Sequence, residues 1–213
     1  MTLASELGAI ILAGGQSKRL EAKCFRMLGG KELVLHVFER IREVTSDVTV
    51  VTKITKDAKR LSSILPGTRI ILDPMHTKTP LAALLAGFRA TNSTYVFAAP
   101  CDMPFISGNV IRLLYEHSRG KDAAIPTDGV NLEPLCAVYR RSAVIYATES
   151  VLKDQNASII RMISGLQSVV RVPKEELRRV DPTLLTFLNI NTDEEMKIAH
   201  QILHTQKTGQ EGT

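Results

Sequence analysis

Segments with the pattern of buried strands alternate with segments of helical pattern through the first half of the chain, and this alternation restricts the fold more than any other feature. Short apolar or β-branched runs that end at glycine, proline or polar residues indicate strands, whereas apolar residues spaced three and four positions apart indicate helices. The predicted strands are residues 9–13, 48–52, 69–72 and 95–99, and the predicted helices are residues 33–44, a short helix closing at 61–65, and residues 80–89. Because strands that are joined through helices lie parallel, the pattern predicts an α/β fold, with a mostly parallel sheet and helices on both faces.

The second half of the chain carries the same two patterns in a less regular order. The predicted helices are residues 110–117, 142–152, 158–166 and 193–204, and the predicted strands are residues 123–126, 135–139 and 185–188. Thr192 and Glu195 have the spacing of a capping box, which predicts that the last helix begins after Thr192. With 213 residues, 44% of them hydrophobic, the chain can bury a core of α/β size. We therefore expect a single domain over residues 1–213, in which the polar residues 205–213 form a flexible tail.

Composition and charge exclude several classes of protein. No apolar stretch approaches the length of a membrane span and the first residues lack the pattern of a signal peptide, so we expect a cytoplasmic protein without a membrane partner. The three cysteines are far apart, which fits neither a disulfide framework nor a CxxC zinc site. Lys and Arg total 27 against 22 for Asp and Glu, a balance that suits an anionic ligand. The basic residues are not clustered and aromatic residues make up 5%, so a small phosphorylated ligand is favoured over nucleic acid.

The loop after the first predicted strand has the composition of a phosphate-binding loop. Ligands of parallel sheets bind at the carboxyl ends of the strands, where this loop begins. Gly14 and Gly15 allow a ligand to approach the backbone, while Ser17, Lys18 and Arg19 add a hydroxyl group and positive charge. The loop matches neither GxxxxGK[ST] nor GxGxxG. A turn with a solvated basic face is the alternative interpretation.

Carboxylate and amide side chains follow other predicted strands. Asp102 comes directly after the strand at residues 95–99, where a hard oxygen ligand can hold Mg²⁺ together with substrate phosphates. Asp73, Asn189 and Asn191 follow two further predicted strands, and they face the same edge if those strands form. Asp and Asn at such positions also serve as turn or capping residues, so this alternative stays open.

Five motifs occur in chain order. They are LAGGQSKRL at residues 12–20 with Lys23 and LGGK at residues 28–31, Asp73 with TPLAA at residues 79–83, PCDMP at residues 100–104, EPLCAVY at residues 133–139, and FLNINT at residues 187–192. This series resembles the signature of the MobA-like nucleotidyltransferases, whose corresponding segments read LAGGxSxRMGxxK with LGGK, D with GPLAG, PCDxP, HPLCAxY and FxNxNT. Each motif alone is weak, but five in register are specific.

The resemblance implies a Rossmann-like three-layer αβα sandwich that transfers a nucleoside monophosphate from a nucleoside triphosphate to a phosphorylated acceptor and releases pyrophosphate. In the guanylyl members GTP is the donor and molybdopterin is the acceptor. The family's cytidylyl relatives tend to carry LAAG, so the LAGG of residues 12–15 favours GTP over CTP.

The resemblance also implies roles for individual residues. It places Leu12, Ala13 and Gly14 at the base and ribose, Arg19 and Lys23 at the triphosphate, Asp73 at the nucleoside and Asp102 at Mg²⁺; with Gly15 and Ser17 these form the expected nucleotide site. Arg19, Lys23 and Asp102 are the expected catalytic residues, and Asp102 and Asn191 the expected metal ligands. Because phosphate attacks phosphorus directly, no side-chain nucleophile is needed. Cys101 and Cys136 are therefore expected to be small buried residues.

The sequence departs from the family pattern at several positions. Glu21 stands in a shortened phosphate loop, Thr79 and Ala83 replace glycines of GPLAG, and Glu133 replaces the histidine of HPLCAxY. These departures leave two alternatives to a guanylyltransferase. One is a transferase of the same fold with another phosphorylated acceptor, of cytidylyl or sugar-phosphate type, and the other is a nucleotide-binding protein without catalysis.

Overall fold

A computed structural model describes residues 6–14, 23–73, 80–154 and 156–210, with side chains up to residue 206. Its strands are β1 (Leu7–Leu12), β2 (Met27–Leu28), β3 (Lys31–Glu32), β4 (Val48–Thr52), β5 (Arg69–Leu72), β6 (Tyr95–Pro100), β7 (Ala123–Thr127), β8 (Ala137–Arg140) and β9 (Val169–Pro173). Its helices are α1 (Leu33–Arg42), α2 (Thr55–Ile64), α3 (Leu81–Ala90), α4 (Gly108–Ser118), α5 (Arg141–Val151), α6 (Ile159–Ser164), α7 (Lys174–Leu177) and α8 (Asp193–Gln210), with short 3₁₀ helices at Lys23–Phe25 and Leu185–Phe187. The predicted alternation of strands and helices is confirmed.

Seven of the described strands form one sheet in the order β5-β4-β1-β6-β8-β7-β9. β8 is antiparallel to both of its neighbours, and the other adjacent strands are parallel. Two antiparallel pairings in succession restore the strand direction, so β7 and β9 run the same way as β6. The carboxyl ends of every strand in the sheet except β8 therefore meet at one side, which we call the carboxyl edge. The prediction of a mostly parallel sheet is confirmed.

Side chains of β1 point alternately into two apolar clusters, one on each face of the sheet. Leu7, Ala9 and Ile11 belong to the first cluster, which α1 and α4 cover; Ile10 and Leu12 belong to the second, which α3 and α5 cover. All five side chains are almost completely buried. Burying one large aliphatic side chain contributes about 1.5–3 kcal/mol, so both faces stabilise the fold. The expected three-layer αβα arrangement is confirmed.

A third apolar cluster fixes the last helix against the chain that follows β6. Its buried members are Leu28, Leu33, Phe105, Ile190, Met196 and Ala199. They come from the β2–β3 hairpin, the start of α1, the segment after β6, the segment directly before α8, and the first turns of α8. This packing brings residue 191 to the carboxyl edge although it lies far from the other strand ends in sequence.

The predicted strand at residues 185–188 is wrong, because this segment is the 3₁₀ helix Leu185–Phe187. Leu184 has a left-handed backbone (φ 53°), which turns the chain away from an extended path. The Asp181 carboxylate then accepts hydrogen bonds from the amides of Leu185 (3.3 Å) and Thr186 (2.9 Å). These amides are satisfied locally, so they do not join a strand ladder.

The sequence patterns did not predict β9, the strand at one edge of the sheet. It runs from Val169 to Pro173 and pairs with β7 in parallel. Its residues Val169, Val170 and Val172 are β-branched, which was a usable signal. β9 completes the carboxyl edge on the side away from β1.

The last helix extends beyond its predicted end at residue 204 and continues to Gln210. The predicted flexibility of residues 205–213 stays a prediction, and residues 211–213 lie outside the described part of the chain. Among the helices of the described ranges, none combines the length and the apolar character needed to cross a membrane.

Candidate active site

The ends of β1 and β6 lie side by side at the carboxyl edge. Leu12 is the register partner of Pro100, and the amide of Cys101 donates to the carbonyl oxygen of Leu12 at 3.2 Å. The pairing therefore continues one residue past β6. As a consequence Asp102 leaves the sheet directly beside the start of the glycine loop.

Gly14 lies against the chain that follows β4. The amide of Ala13 donates to the carbonyl oxygen of Val51 at 2.8 Å, which holds this segment on β4. A Cβ atom at Gly14 would lie 3.3 Å from the backbone nitrogen of Lys53, which is tighter than ordinary contact. Leu12 and Ala13 are buried in the core, so their backbone is the part that can face a nucleotide.

Three predicted site residues meet at the end of β6. The ammonium group of Lys23 donates a hydrogen bond to Asn191 Oδ1, and Lys23 Nζ lies 3.7 Å from Asp102 Oδ2. The Asp102 side chain is 16% exposed and that of Lys23 34%. Burial raises the pKa of Asp102, while the nearby charge of Lys23 opposes this shift. The fold thus brings into one polar cluster three residues that are 79 (Lys23 to Asp102) and 89 (Asp102 to Asn191) positions apart in the sequence.

Two buried cysteines pack underneath this cluster. Cys24 follows Lys23 in the chain and Cys101 precedes Asp102, and both belong to the same apolar cluster. The neighbouring thiol of Cys24 and complete burial raise the pKa of Cys101 well above its usual range. Burial likewise raises the pKa of Cys136. The expectation that Cys101 and Cys136 are small buried residues is confirmed, and the packing of Cys24 supports the residue next to it.

The capping box predicted at the start of α8 is present and orients Asn191. The amide of Glu195 donates to Thr192 Oγ1 at 3.1 Å, and Glu195 Oε2 accepts from the amides of Thr192 (2.8 Å) and Asn191 (2.6 Å). These hydrogen bonds lower the pKa of Glu195, and the bond from the Asn191 amide has the larger effect. One carboxylate therefore caps the helix and holds the backbone of the residue that contacts Lys23.

Arg26 is a further residue of this site that sequence reasoning missed. Its guanidinium group lies 2.6 Å from Asp193 Oδ1 and 3.4 Å from the carbonyl oxygen of Thr192. The Arg26 side chain is mostly buried at 15% exposed, whereas Asp193 is 76% exposed, so the ion pair lies at the protein surface. It fastens the segment after Lys23 to the first residue of α8. No motif marked Arg26, because its partner lies at the far end of the chain.

Asp73 lies on the other side of the glycine loop from Asp102. It follows β5, its amide donates to the carbonyl oxygen of Thr52 at 2.8 Å, and its side chain is buried. Lys53 Nζ lies 3.8 Å from Asp73 Oδ2. Lys53 was not predicted, although its position directly after β4 is the kind of strand end that carries ligand-binding residues.

Asp73, Lys53, Gly14 and Asp102 follow four adjacent strands, in the order β5, β4, β1 and β6. Adjacent strands lie about 4.8 Å apart, so this row extends over roughly 14 Å. That length suits an extended nucleotide, with one end at Asp73 and the other at Asp102. Asn189 is half-buried two residues before Asn191, and the contact with Lys23 is made by Asn191.

Several predicted residues lie outside the described part of the chain. They are Gly15, Ser17, Lys18, Arg19, Glu21 and Thr79. Their roles stay predictions.

Another ion pair occupies the carboxyl edge near β7 and β9. Lys174 Nζ lies 2.7 Å from Glu133 Oε1 and 4.7 Å from the centre of the Phe187 ring. Glu133 comes before β8 and Lys174 directly follows β9, so both lie on the half of the edge away from the glycine loop. Glu133 is the residue that replaces the histidine of the motif HPLCAxY.

The cluster at β6 also has the donor atoms that a magnesium site requires. Asp102 offers carboxylate oxygens and Asn191 an amide oxygen, both hard ligands. The Lys23 ammonium group already lies at these oxygens as a cation, so the position favours positive charge. Within the described ranges no group of three His, Cys, Asp or Glu side chains is placed to hold a metal. A Mg²⁺ site needs only one or two protein carboxylates where substrate phosphates supply further oxygens, so the side chains of Asp102 and Asn191 fit such a site.

Comparison with known proteins identifies relatives of this chain. Residues 9–172 match the MobA-like NTP transferase domain. The chain is 31% identical over 193 residues to the molybdenum cofactor guanylyltransferase of Desulfosudis oleivorans, covering 89% of this chain and 92% of the relative. It is 30% identical over 198 residues to the probable molybdenum cofactor guanylyltransferase of Methanosarcina acetivorans, covering 89% and 88%.

A solved structure is also similar over almost the whole chain. It is molybdopterin-guanine dinucleotide biosynthesis protein A from Archaeoglobus fulgidus, which is 31% identical. The TM-score is 0.80, and the match covers 93% of this chain and 99% of the other.

Proposed function

The chain belongs to the family of MobA-like NTP transferases, which are nucleotidyltransferases, and on this premise we propose that it transfers GMP from GTP to molybdopterin and releases pyrophosphate. The observation that carries the proposal is the contact of Lys23 with Asp102 and Asn191 beside the glycine loop. The names of the relatives support guanine as the base and molybdopterin as the acceptor.

The described residues fit the demands of the reaction. A phosphate of the acceptor attacks the α-phosphorus of GTP, so anions that repel each other must be positioned and neutralised. Lys23, together with Arg19 of the loop outside the described residues, would bind the β- and γ-phosphates and stabilise the charge that develops on pyrophosphate. Magnesium, held by Asp102 and Asn191, would supply Lewis-acid neutralisation of the phosphate oxygens.

A second candidate function is transfer to a different phosphorylated acceptor. The supporting observation is the ion pair of Glu133 with Lys174. It places a carboxylate where the family motif HPLCAxY has histidine. A carboxylate and an imidazole differ in charge and in hydrogen-bonding capacity, so they select different acceptor groups. The nucleotide side of the site is the same in both candidates.

The experiment that tests the function measures pyrophosphate release from GTP, CTP, ATP and UTP, with Mg²⁺ and with molybdopterin as acceptor. We expect release that depends on GTP, Mg²⁺ and the acceptor together. Asp102→Asn should lower kcat by about 100-fold or more, because it removes the carboxylate at the metal. Asp154→Asn, which changes an exposed ion pair with Arg161, should leave kcat within twofold.

Three other results would change the assignment. Release from GTP only with another phosphorylated acceptor would favour the second candidate. Preference for CTP would overturn the choice of nucleotide. Binding of GTP without turnover under any of these conditions would indicate a nucleotide-binding protein without catalysis.

A further inference from the structure

The Lys23 side chain occupies a site for positive charge. Its ammonium group donates to Asn191 Oδ1 and lies 3.7 Å from Asp102 Oδ2. The Glu195 carboxylate, on the first turn of α8, adds negative potential that acts on Asp102. Asn191 and Asp102 thus line a position that favours a cation, and the charge of Glu195 adds to the negative potential there.

A divalent metal and the Lys23 ammonium group need the same oxygen atoms. Two cations within a few ångströms of each other repel strongly, most of all where side chains are shielded from water. We propose that Lys23 is the resident counter-ion of the metal site, so that Lys23 and the divalent cation are alternative occupants of the Asp102–Asn191 position. This inference rests on the proposed function for the divalent metal at Asp102 and Asn191 and for the triphosphate.

The local structure allows Lys23 to leave this position without a change of the backbone. Cys24 and Phe25, the next two residues, are buried and anchor the 3₁₀ helix that Lys23 begins. The Lys23 side chain itself is 34% exposed and has a four-carbon stem. Rotation about its side-chain bonds therefore moves the ammonium group by several ångströms, whereas Asp102 and Asn191 stay in place.

This exchange sets an order of binding. A triphosphate attracts the Lys23 ammonium group away from Asp102 and Asn191. Its phosphate oxygens would then add to the two protein ligands of the metal. The protein without nucleotide consequently has a low affinity for the metal, because Lys23 competes for the site. Lys23 thus contacts Asp102 and Asn191 in the nucleotide-free protein and the triphosphate once it is bound.

Metal binding to the nucleotide-free protein tests the exchange directly. The probe is Mn²⁺ alone, and free Mn²⁺ is measured by electron paramagnetic resonance during titration of the full chain. Lys23→Met should bind Mn²⁺ about tenfold or more tightly than the unsubstituted protein, because a competing charge has been removed. Lys23→Gln provides a second variant with a polar side chain. Lys31→Met loses the same charge from the ion pair with Glu39 and should bind as the unsubstituted protein does.

The double variant Lys23→Met with Asp102→Asn locates the gained affinity. If the metal binds at Asp102, the double variant should lose the tenfold gain. Equal Mn²⁺ affinity in Lys23→Met, Lys23→Gln and the unsubstituted protein would overturn the proposal, as would a gain that survives Asp102→Asn. Because neither nucleotide nor acceptor is present, a failure of the proposed function leaves this result unaffected and appears only in the pyrophosphate assay.

Discussion

Asp47 contacts residues at the amino ends of several strands. Its carboxylate accepts hydrogen bonds from Thr91 Oγ1 (2.5 Å), Ser93 Oγ (2.8 Å) and Arg69 (3.2 Å). A Cβ atom at Gly8 would lie 2.8 Å from Thr91 Oγ1, so glycine leaves the space that this cluster needs. The cluster lies at the side of the sheet opposite the carboxyl edge and therefore serves stability and not the site.

Replacing Asp47 by Asn should destabilise the protein in a manner that depends on pH. Partial burial favours the neutral acid, but the hydrogen bonds from Thr91 and Ser93 and the charge of Arg69 outweigh it and lower the pKa of Asp47. We expect Asp47→Asn to lower the free energy of unfolding at pH 7 by about 1–2 kcal/mol, measured by urea unfolding. A lowered pKa stabilises the fold above the ordinary Asp value, so the difference between the two proteins should shrink as the pH falls through that value and below.

Asp154→Asn is the matched control for Asp47→Asn. Its partner Arg161 and its own carboxylate are about half exposed, so the change should alter the free energy of unfolding by less than about 1 kcal/mol. A constant difference between Asp47→Asn and the unsubstituted protein from pH 7 down to pH 3 would contradict the charged role of Asp47.

At the scale of the element, the start of α8 joins helix capping to the site. Glu195→Ala removes the acceptor of the Asn191 and Thr192 amides, so it should loosen both the helix end and the residue that contacts Lys23. We expect a loss of about 1 kcal/mol in the free energy of unfolding. We also expect kcat/KM for GTP to fall by about tenfold, because the Asn191 oxygen is less well positioned.

Glu194→Ala provides the control at the neighbouring position. Glu194 is exposed in the same first turn and carries the same charge, so it shares any general effect of the helix dipole. Its removal should leave kcat/KM within about twofold. Equal losses in the two variants would show that charge at the helix start, and not the capping geometry, supports the site.

The elements that could be predicted from sequence are those with local causes. The capping box and the buried run of β1 depend on residues that are close in the chain, and both are confirmed. The segment 185–188 has the composition of a strand, but Asp181 and the left-handed Leu184 fold it into a 3₁₀ helix. The ion pair of Arg26 with Asp193 depends on distant packing that no local pattern shows.

At the scale of the whole molecule, the reversed strand β8 separates two halves of the carboxyl edge. The row from Asp73 to Asp102 follows β5, β4, β1 and β6, whereas the Glu133–Lys174 pair lies by β7 and β9. If the acceptor binds beside Glu133, as the proposed function has it, Glu133→Gln should raise KM for the acceptor by about fivefold or more and leave KM for GTP within twofold, because the charge is lost away from the nucleotide. The measurement is steady-state kinetics with each substrate varied in turn.

The proposed division fails if Glu133→Gln changes the two KM values equally. Unfolding of the variant is a separate outcome, because the Glu133–Lys174 pair also connects the segment before β8 to the start of α7. The free energy of unfolding, measured on the same sample, distinguishes loss of the fold from loss of acceptor binding.

The contribution of residue 191 to the cation site has a consequence for how the protein is made. The strands β1, β4, β5 and β6 come from one continuous stretch of chain that ends at Pro100, so a nascent chain can pair them early in synthesis. Asn191, by contrast, leaves the ribosome about ninety residues after Asp102, and only then can α8 dock and bring it to Lys23. The nascent protein can therefore pair four of the seven strands of this sheet long before Asn191 can join Lys23 and Asp102.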